Sequence, residues 1–408
     1  MNDSPHELLK NGYPLISTDA AFAEAFRIAD IVTEHAPLSF DLSYMDGITG
    51  ISVFICAAAS FQEDRKQKQR LADWLGSFTG SLDDHLSGID AVRDLSLSSG
   101  LFGIIYSLLM MYQITKDTGY RDLLNKYASL PVNASVPTPN FPDTYLGLSG
   151  CIAVICDILE YSDSQKILIP TLQDDLTRLL ASYMDRLMQL RQKESDGLWD
   201  TLDYGRKISG YGHGIFGIAY ALMLGCRVLD KADGIIPEKK IDLYRQAVTD
   251  ALSFELNIYD DKLCEWPDLR PFASLPALHG ICSGAPGIGI GSLRLSLPEP
   301  SANIKTLCNM AHNSCMFLPM NVNDHLCCGK ASLVEYFNIH SELGHTDNAC
   351  ARAILSMMLD TRIKTGSIYY KTSDKISPDD LSLFFGISGI GYEFLRSASE
   401  FCLPSPIP

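Results

Sequence analysis

The sequence predicts an all-α fold, an α/α toroid in which about seven inner helices are ringed by about seven outer ones, and three observations carry that expectation. The first is an internal repeat. A turn of the form Gly-x-x-Gly, followed by an apolar run, returns seven times, with first glycines at Gly47, Gly100, Gly147, Gly214, Gly284, Gly329 and Gly386, spaced about 56 residues apart on average. Ser332 stands where the second glycine of the sixth copy falls. The second observation is the character of the segments that the turns open. Ile104–Met111 and its counterparts are apolar nearly all round, as a helix buried on every face must be. The third lies between them, in amphipathic stretches such as Asp174–Gln192, where Leu176, Leu179, Leu180, Tyr183, Leu187 and Leu190 recur at helical spacing with Arg178, Asp185 and Arg186 interleaved. A unit of one apolar and one amphipathic helix cannot bury its inner member alone, so the copies must stack, and seven copies filling the chain favour closure into a ring. Glycine suits the turns because it lacks Cβ and permits close backbone approach where the helices crowd the axis. The residues flanking the glycines should then face one end of a common central cavity, and the chemistry is sought there.

Composition bounds the rest. The chain has 408 residues, 46% of them hydrophobic and 20% charged, the balance of a globular protein with a large core and not of a disordered one. A formal charge of −16 argues against nucleic-acid binding, and the densest basic run, Arg65–Arg70, reads as the solvated face of a helix. No apolar signal segment follows Asp3, His6, Glu7 and Lys10, and the longest apolar stretch, Leu101–Tyr112, falls short of the roughly 18 residues that span a bilayer. A cytoplasmic protein without membrane insertion is the simplest expectation. Its twelve cysteines are then reduced thiols, metal ligands or buried small hydrophobes. Residues 1–40 read as a helical segment leading into a toroid that occupies 41–408.

Two consecutive repeats carry cysteine before the turn: Cys282 ahead of Ser283-Gly284, and Cys327-Cys328 ahead of Gly329. Buried cysteine is common, and packing alone would account for such residues singly. Three thiolates converging at neighbouring repeats make a soft site that selects zinc, with one tetrahedral position left for a further ligand, as in catalytic zinc centres. His213, set between Gly212 and Gly214, has little to pack against and suits a general acid or base at the cavity end. Asp143, four residues before Gly147, reads equally as a helix cap and as a functional carboxylate. His279 and His325 lie near the cysteines in sequence and are candidates to orient them.

Together these residues resemble the LanC-like lantibiotic cyclase family. The resemblance runs from Tyr44-Met45-Asp46-Gly47 to Gly389-Ile390-Gly391-Tyr392, and its specific parts are Gly212-His213-Gly214, Cys282-Ser283-Gly284-Ala285-Pro286-Gly287 and Leu326-Cys327-Cys328-Gly329. It implies an α/α toroid holding one zinc ion and a carbon–sulfur bond-forming, lyase-type enzyme acting on a dehydrated precursor peptide. There a substrate cysteine thiol adds to dehydroalanine or dehydrobutyrine to give lanthionine or methyllanthionine. Asp41–Gly47 and Leu383-Phe384-Phe385-Gly386 look closer to the cyclase half of bifunctional class II synthetases, and Cys327-Cys328-Gly329, in place of the commoner Cys-His-Gly, is similar to their three-cysteine variant. The chain has no room for a dehydratase half, so a stand-alone cyclase or an excised domain is expected, with a dehydratase as a possible partner. It departs from relatives at Ile281, where tryptophan is frequent, at Leu278, where class I cyclases have arginine, and at Ser283, where they have tyrosine.

On the family's chemistry, Cys282, Cys327 and Cys328 are the zinc ligands, His213 delivers the proton to Cα, and Asp143 orients it or shares the role. Three thiolate ligands should leave the bound substrate sulfur more nucleophilic than two thiolates and an imidazole would. Two alternatives remain open: thiol addition to a different dehydroamino-acid substrate, or a non-catalytic toroid whose zinc is structural and which holds a peptide or a dehydratase. Toroidal glycosidases and terpene cyclases would need paired carboxylates or an aspartate-rich motif in the cavity and no cysteine triad.

Overall fold

A computed structural model of the chain describes residues 4–36, 41–86, 94–133, 139–191, 197–201, 207–232, 235–270, 279–320, 322–367, 370–371, 380–400 and 402–408. Gln192 and Leu278, and residues 1–3 and 37–40 of the first segment, lie outside them. Along the chain run α1 (Pro5–Lys10), α2 (Thr18–His35), α3 (Ile48–Phe61), α4 (Arg65–Leu86), α5 (Leu101–Thr115), α6 (Thr118–Ala128), α7 (Leu130–Asn133) and α8 (Leu148–Gln165). They are followed by α9 (Pro170–Leu190), α10 (Ile215–Lys231), α11 (Glu238–Ile258), α12 (Ala285–Leu295), α13 (Ala302–Phe317), α14 (Lys330–Glu342), α15 (Ala349–Lys364) and α16 (Ile387–Ala398). No β-strand occurs among the described residues.

Helices α3, α5, α8, α10, α12, α14 and α16 each start at the first glycine of one repeat, which is the N-cap. Each packs on the next, and α16 packs back on α3, so the inner ring is closed. The outer helices α4, α6, α9, α11, α13 and α15 each lie on the inner helix before them, and α2 lies on α16. Burial follows the two sequence patterns. Every residue of α5 from Leu101 to Met111 is buried, whereas α9 buries one stripe, Leu172, Leu176, Leu180, Tyr183, Met184 and Leu187, and exposes Asp174 and Arg178. One buried ion pair lies within the inner ring: Arg396 of α16, wholly buried, donates from Nε to Glu335 of α14 at 2.8 Å.

The motif has a backbone explanation. The first helical N–H of a repeat donates to the carbonyl seven residues earlier, as Ile48 to Asp41, Leu101 to Asp94, Leu148 to Phe141, Ile215 to Ile208, Lys330 to Asn323 and Ile387 to Asp380, at 2.8–3.1 Å. This folds each loop into an arch over the helix start and satisfies a donor that helix geometry leaves orphaned. The arch brings a carbonyl down on the second glycine. A Cβ at Gly150 would stand 1.9 Å from the Thr144 oxygen. Gly150→Ala is therefore expected to cost roughly 3 kcal/mol or more, since neither backbone can yield. Urea denaturation of the two proteins reads this, and a loss within error of zero counts against the arch.

Adjacent arches are sewn together by a second set of bonds. Ser98 O takes the N–H of Met45, Tyr145 O that of Ser98, Gly212 O that of Tyr145, and Cys282 O that of Gly212, at 2.9–3.2 Å. Cys327 O takes the N–H of Ile281, Phe384 O that of Cys327, and Met45 O that of Phe384, at 2.8–3.1 Å, which closes the circle. Each acceptor lies two residues before its cap glycine. One mouth of the toroid is thus a rigid ring in which repeat position dictates where a side chain points.

Candidate active site

The position immediately before the cap glycine is occupied in turn by Asp46, Ser99, Leu146, His213, Ser283, Cys328 and Phe385. Each of the seven keeps some solvent exposure, and Asp46, Ser99, Leu146 and Phe385 the most. These side chains line the open mouth. The position before it supplies the inward layer, including Tyr145, Cys282 and Cys327. The three sequence-predicted cysteines thus come from two arches joined by the Ile281 N–H to Cys327 carbonyl bond of 2.8 Å.

Their ligand atoms all lie within 4.8 Å of one another. Cys327 Sγ is 3.4 Å from Cys328 Sγ, and Cys282 and Cys327 are joined as a disulfide with Cα atoms 6.2 Å apart. The other ten cysteines are free, with Cys264 and Cys402 exposed. The reduced trio fits a metal ion. Zinc–thiolate bonds are about 2.3 Å, so one ion between the three sulfurs reaches them all. Burial pushes the Cys328 thiol up to about 11, with the Arg270 guanidinium pulling the other way. A thiol so placed needs a strong local counter-charge to ionise, and a divalent ion supplies one. His325, predicted to lie near the cluster, accepts the N–H of Cys328 through Nδ1 at 3.2 Å and so braces the ligand's backbone. His279 turns instead to Glu265, with 3.6 Å between Nδ1 and Oε2.

His213 and Asp143 come together from neighbouring arches. Nδ1 of the half-buried His213 is 3.3 Å from Oδ2 of the fully buried Asp143. The other oxygen of Asp143 accepts the N–H of Leu146 at 2.7 Å, so both readings of this residue hold: it caps the turn and faces the histidine. The arches carrying His213 and Cys282 are joined by the bond from Gly212 N–H to the Cys282 carbonyl, 2.9 Å.

Tyr145 was not singled out by the sequence. Its ring stands edge-on to His213 with centroids 5.2 Å apart. It also explains Gly212, where a Cβ would meet the Tyr145 ring at 2.5 Å. The Tyr145 hydroxyl is buried without a hydrogen-bond partner among the described residues. Burial holds its pKa well above the usual value of 10, helped by the charges of Cys328 and Asp143. An orphaned phenol whose ring stands against the histidine is a donor waiting for an acceptor.

Glu255 is the other omission. It sits on the apolar stripe of α11 with Val248, Ala251 and Leu252, a carboxylate where a hydrophobe belongs. Its oxygens accept Ser209 Oγ at 2.5 Å and the N–H groups of Phe216 at 2.9 Å and Gly210 at 3.4 Å, fastening the arch that carries His213 to the start of α10. Burial pushes its pKa to about 8 from an ordinary 4.5, against the three hydrogen bonds. The folded state therefore binds the proton more tightly than the unfolded one. This contribution is fully present below about pH 4.5 and is lost as the pH rises through about 8. Glu255→Gln, which keeps an acceptor for Phe216, is expected to flatten the fall in stability across that window. Urea midpoints at several pH values measure it, and an unchanged slope would assign the effect elsewhere.

Compared with known proteins, the chain matches the sequence profile of the family described as lanthionine synthetase C-like protein over residues 39–401. No protein of curated function matches it in sequence. Among solved structures it is similar to nisin cyclase, with a TM-score of 0.60 and 17% identity, covering 95% of this chain and 93% of that one. A fainter likeness, to a family 105 glycoside hydrolase from C. acetobutylicum ATCC 824, has a TM-score of 0.36 and 12% identity over 92% of this chain and 98% of that one, and is too slight to bear on function. No helix among the described residues is long and apolar enough to cross a membrane.

Proposed function

Since the chain belongs to the lanthionine synthetase C-like family, we propose that it is a zinc-dependent peptide cyclase that closes lanthionine and methyllanthionine rings. In this reading a cysteine thiol of a dehydrated precursor peptide adds to dehydroalanine or dehydrobutyrine, a carbon–sulfur bond-forming reaction of lyase type carried out in the cytoplasm. The observation that carries it is the meeting, at one mouth of the toroid, of Cys282, Cys327 and Cys328 with the His213–Asp143 pair. The fold shared with nisin cyclase adds support.

Zinc held by the three cysteines would supply a thiolate from the substrate thiol at neutral pH. The chain's own residues handle the proton. His213 delivers it to Cα as the new carbon–sulfur bond forms at Cβ, while Asp143, accepting at Nδ1, fixes which ring edge faces the substrate. Tyr145 offers its unpartnered O–H to the charge that develops on the neighbouring carbonyl oxygen. Leu146 and Phe385, 40% and 36% exposed on the arches flanking the site, give the peptide apolar contacts at the mouth. Arg270, whose charge acts on Cys328 and which pairs with Asp268 at 2.7 Å, brings a cation to the sulfurs from a different part of the sequence than position 278.

The same three sulfurs also suit one other reading, a toroid whose zinc is structural and which holds a peptide or a dehydratase without catalysing ring closure. Zinc content and thioether formation, measured on the reduced protein with a dehydrated precursor peptide, separate the two. Near one equivalent of zinc with loss of peptide thiols supports the cyclase. Near one equivalent of zinc without thioether formation leaves the scaffold, and a folded, reduced protein with neither removes the metal site as well.

A further inference from the structure

We propose that the segment Leu403–Pro408 is an internal peptide ligand of the toroid's central channel, and that by filling it the segment holds the arches of His213 and Cys327 in register. Six consecutive carbonyls of this segment each receive a donor. Arg396 Nη1 serves Leu403, Tyr392 serves Pro404 at 2.7 Å, and Tyr106 serves Ser405 at 3.0 Å. Tyr44 serves Pro406 at 2.6 Å, Arg294 Nη1 serves Ile407 at 2.8 Å, and Tyr211 serves Pro408. The donors come from five of the seven repeats, so the segment is gripped from most of the ring.

The composition of the segment suits that berth. Prolines at 404, 406 and 408 carry no N–H, so half the donors an extended chain would bring into the channel are absent. The N–H of Ile407 is taken internally by Ser405 Oγ at 3.1 Å. Alternating proline also keeps the chain extended before it binds, which lowers the entropy lost on ordering. Leu403 and Ile407 add buried apolar side chains, 2% and 0% exposed. Six extended residues reach at most about 20 Å, comparable with inner helices that rise about 1.5 Å per residue. The far mouth of the channel remains open as a cavity of about 440 Å³ that ends on Pro404 and Ser405.

The last contacts reach the site's own ring. Tyr211 directly precedes Gly212-His213, and its carbonyl takes Thr144 Oγ1 at 2.8 Å beside Asp143. Tyr44 adjoins Met45, whose carbonyl holds Phe384, whose carbonyl in turn holds Cys327. Tyr44 and Tyr211 are thus positioning residues. The grip on the segment stands by itself, while its effect on metal rests on the metal-site reading above.

The test removes residues 403–408 and compares the shortened and full chains by thermal midpoint and by zinc retention against a chelator. The midpoint is expected to fall by about 5 °C or more, and zinc retention by about tenfold. The free hexapeptide Leu-Pro-Ser-Pro-Ile-Pro at millimolar concentration should restore both, and a scrambled hexapeptide neither. An unchanged midpoint, or one that the hexapeptide does not raise, overturns the proposal. Should the shortened chain fail to fold, the full chain carrying Ser405→Cys reports the grip through maleimide labelling at that position. Adding Tyr211→Phe and Tyr392→Phe should speed labelling about tenfold, and no change overturns the proposal. A full chain that binds no zinc but loses midpoint on shortening would sink the metal reading and leave the internal ligand standing.

Discussion

Cys282→Ala is expected to leave the toroid folded, to empty it of zinc and to abolish ring closure. The fold should survive because Cys282 contributes to the ring through its backbone carbonyl, which any residue supplies, and its side chain is only half-buried. The metal should not survive, because two thiolates from one arch leave zinc two open positions where tight binding needs at least three protein ligands. The chemical consequence can be sized. An ordinary cysteine thiol near pKa 8.5 is only a few per cent thiolate at pH 7, so losing the ion costs about thirtyfold in reactive sulfur. Losing the held geometry costs considerably more, so a fall of roughly 10³-fold or greater is expected in the rate of thioether formation. Metal analysis by mass spectrometry and thiol consumption on a dehydrated peptide measure the two effects. Zinc retained at one equivalent in the variant would remove Cys282 from the ligand set, and undiminished cyclisation without zinc would remove the metal from the reaction. The same experiment on oxidised wild type should find no zinc, since a disulfide between Cys282 and Cys327 and an ion bound to both sulfurs exclude one another.

Why the cysteines were legible in the sequence while other parts of the site were not follows from how the ring is made. A cap glycine is a fixed register mark, so residues one and two positions before it could be placed at the mouth from sequence alone, and Cys282, Cys327, Cys328 and His213 all stand there. Asp143 was harder, because a carboxylate four residues before a glycine is also an ordinary turn cap, and here it acts as both. Tyr145 holds the same register position as Cys282, yet an aromatic at that position looks like core until its hydroxyl is seen to lack a partner. Glu255 belongs to an outer helix, and only its place on the apolar stripe of α11 hinted that its charge turns inward. The berth of 403–408 had no local signal, since the tyrosines and arginines that grip it are scattered over five repeats. Closure likewise required the structure: α2 stands in the outer layer against α16, from a segment before the first glycine motif. Periodicity reveals the repeated unit, whereas contacts made once per molecule leave no period to read.

His213→Ala should separate metal from proton. The residue donates nothing to the sulfur cluster, and its arch is held by Glu255 through Ser209, Gly210 and Phe216, so zinc content and folding are expected to stay at wild-type levels. What goes is the acid that completes the addition. When sulfur bonds to Cβ, an electron pair moves onto Cα and the adjoining carbonyl, and without a placed donor the adduct reverts or waits for water. General acids of this kind contribute about 10²–10⁴-fold, and that is the expected loss in rate. Stereochemistry supplies a second readout. A proton delivered from one fixed imidazole reaches a single face of Cα, whereas water can approach either, so the residual product of the variant should contain both configurations at that carbon. Asp143→Asn keeps a hydrogen-bonding side chain beside Nδ1 but loses the carboxylate that holds the ring at 3.3 Å. Its rate should therefore fall less than that of His213→Ala, with one configuration retained because the histidine is still there to deliver the proton. If His213→Ala cyclises at the wild-type rate with one configuration, proton delivery passes to the neighbouring donor that faces the same space, and the buried Tyr145 hydroxyl becomes the group to replace next.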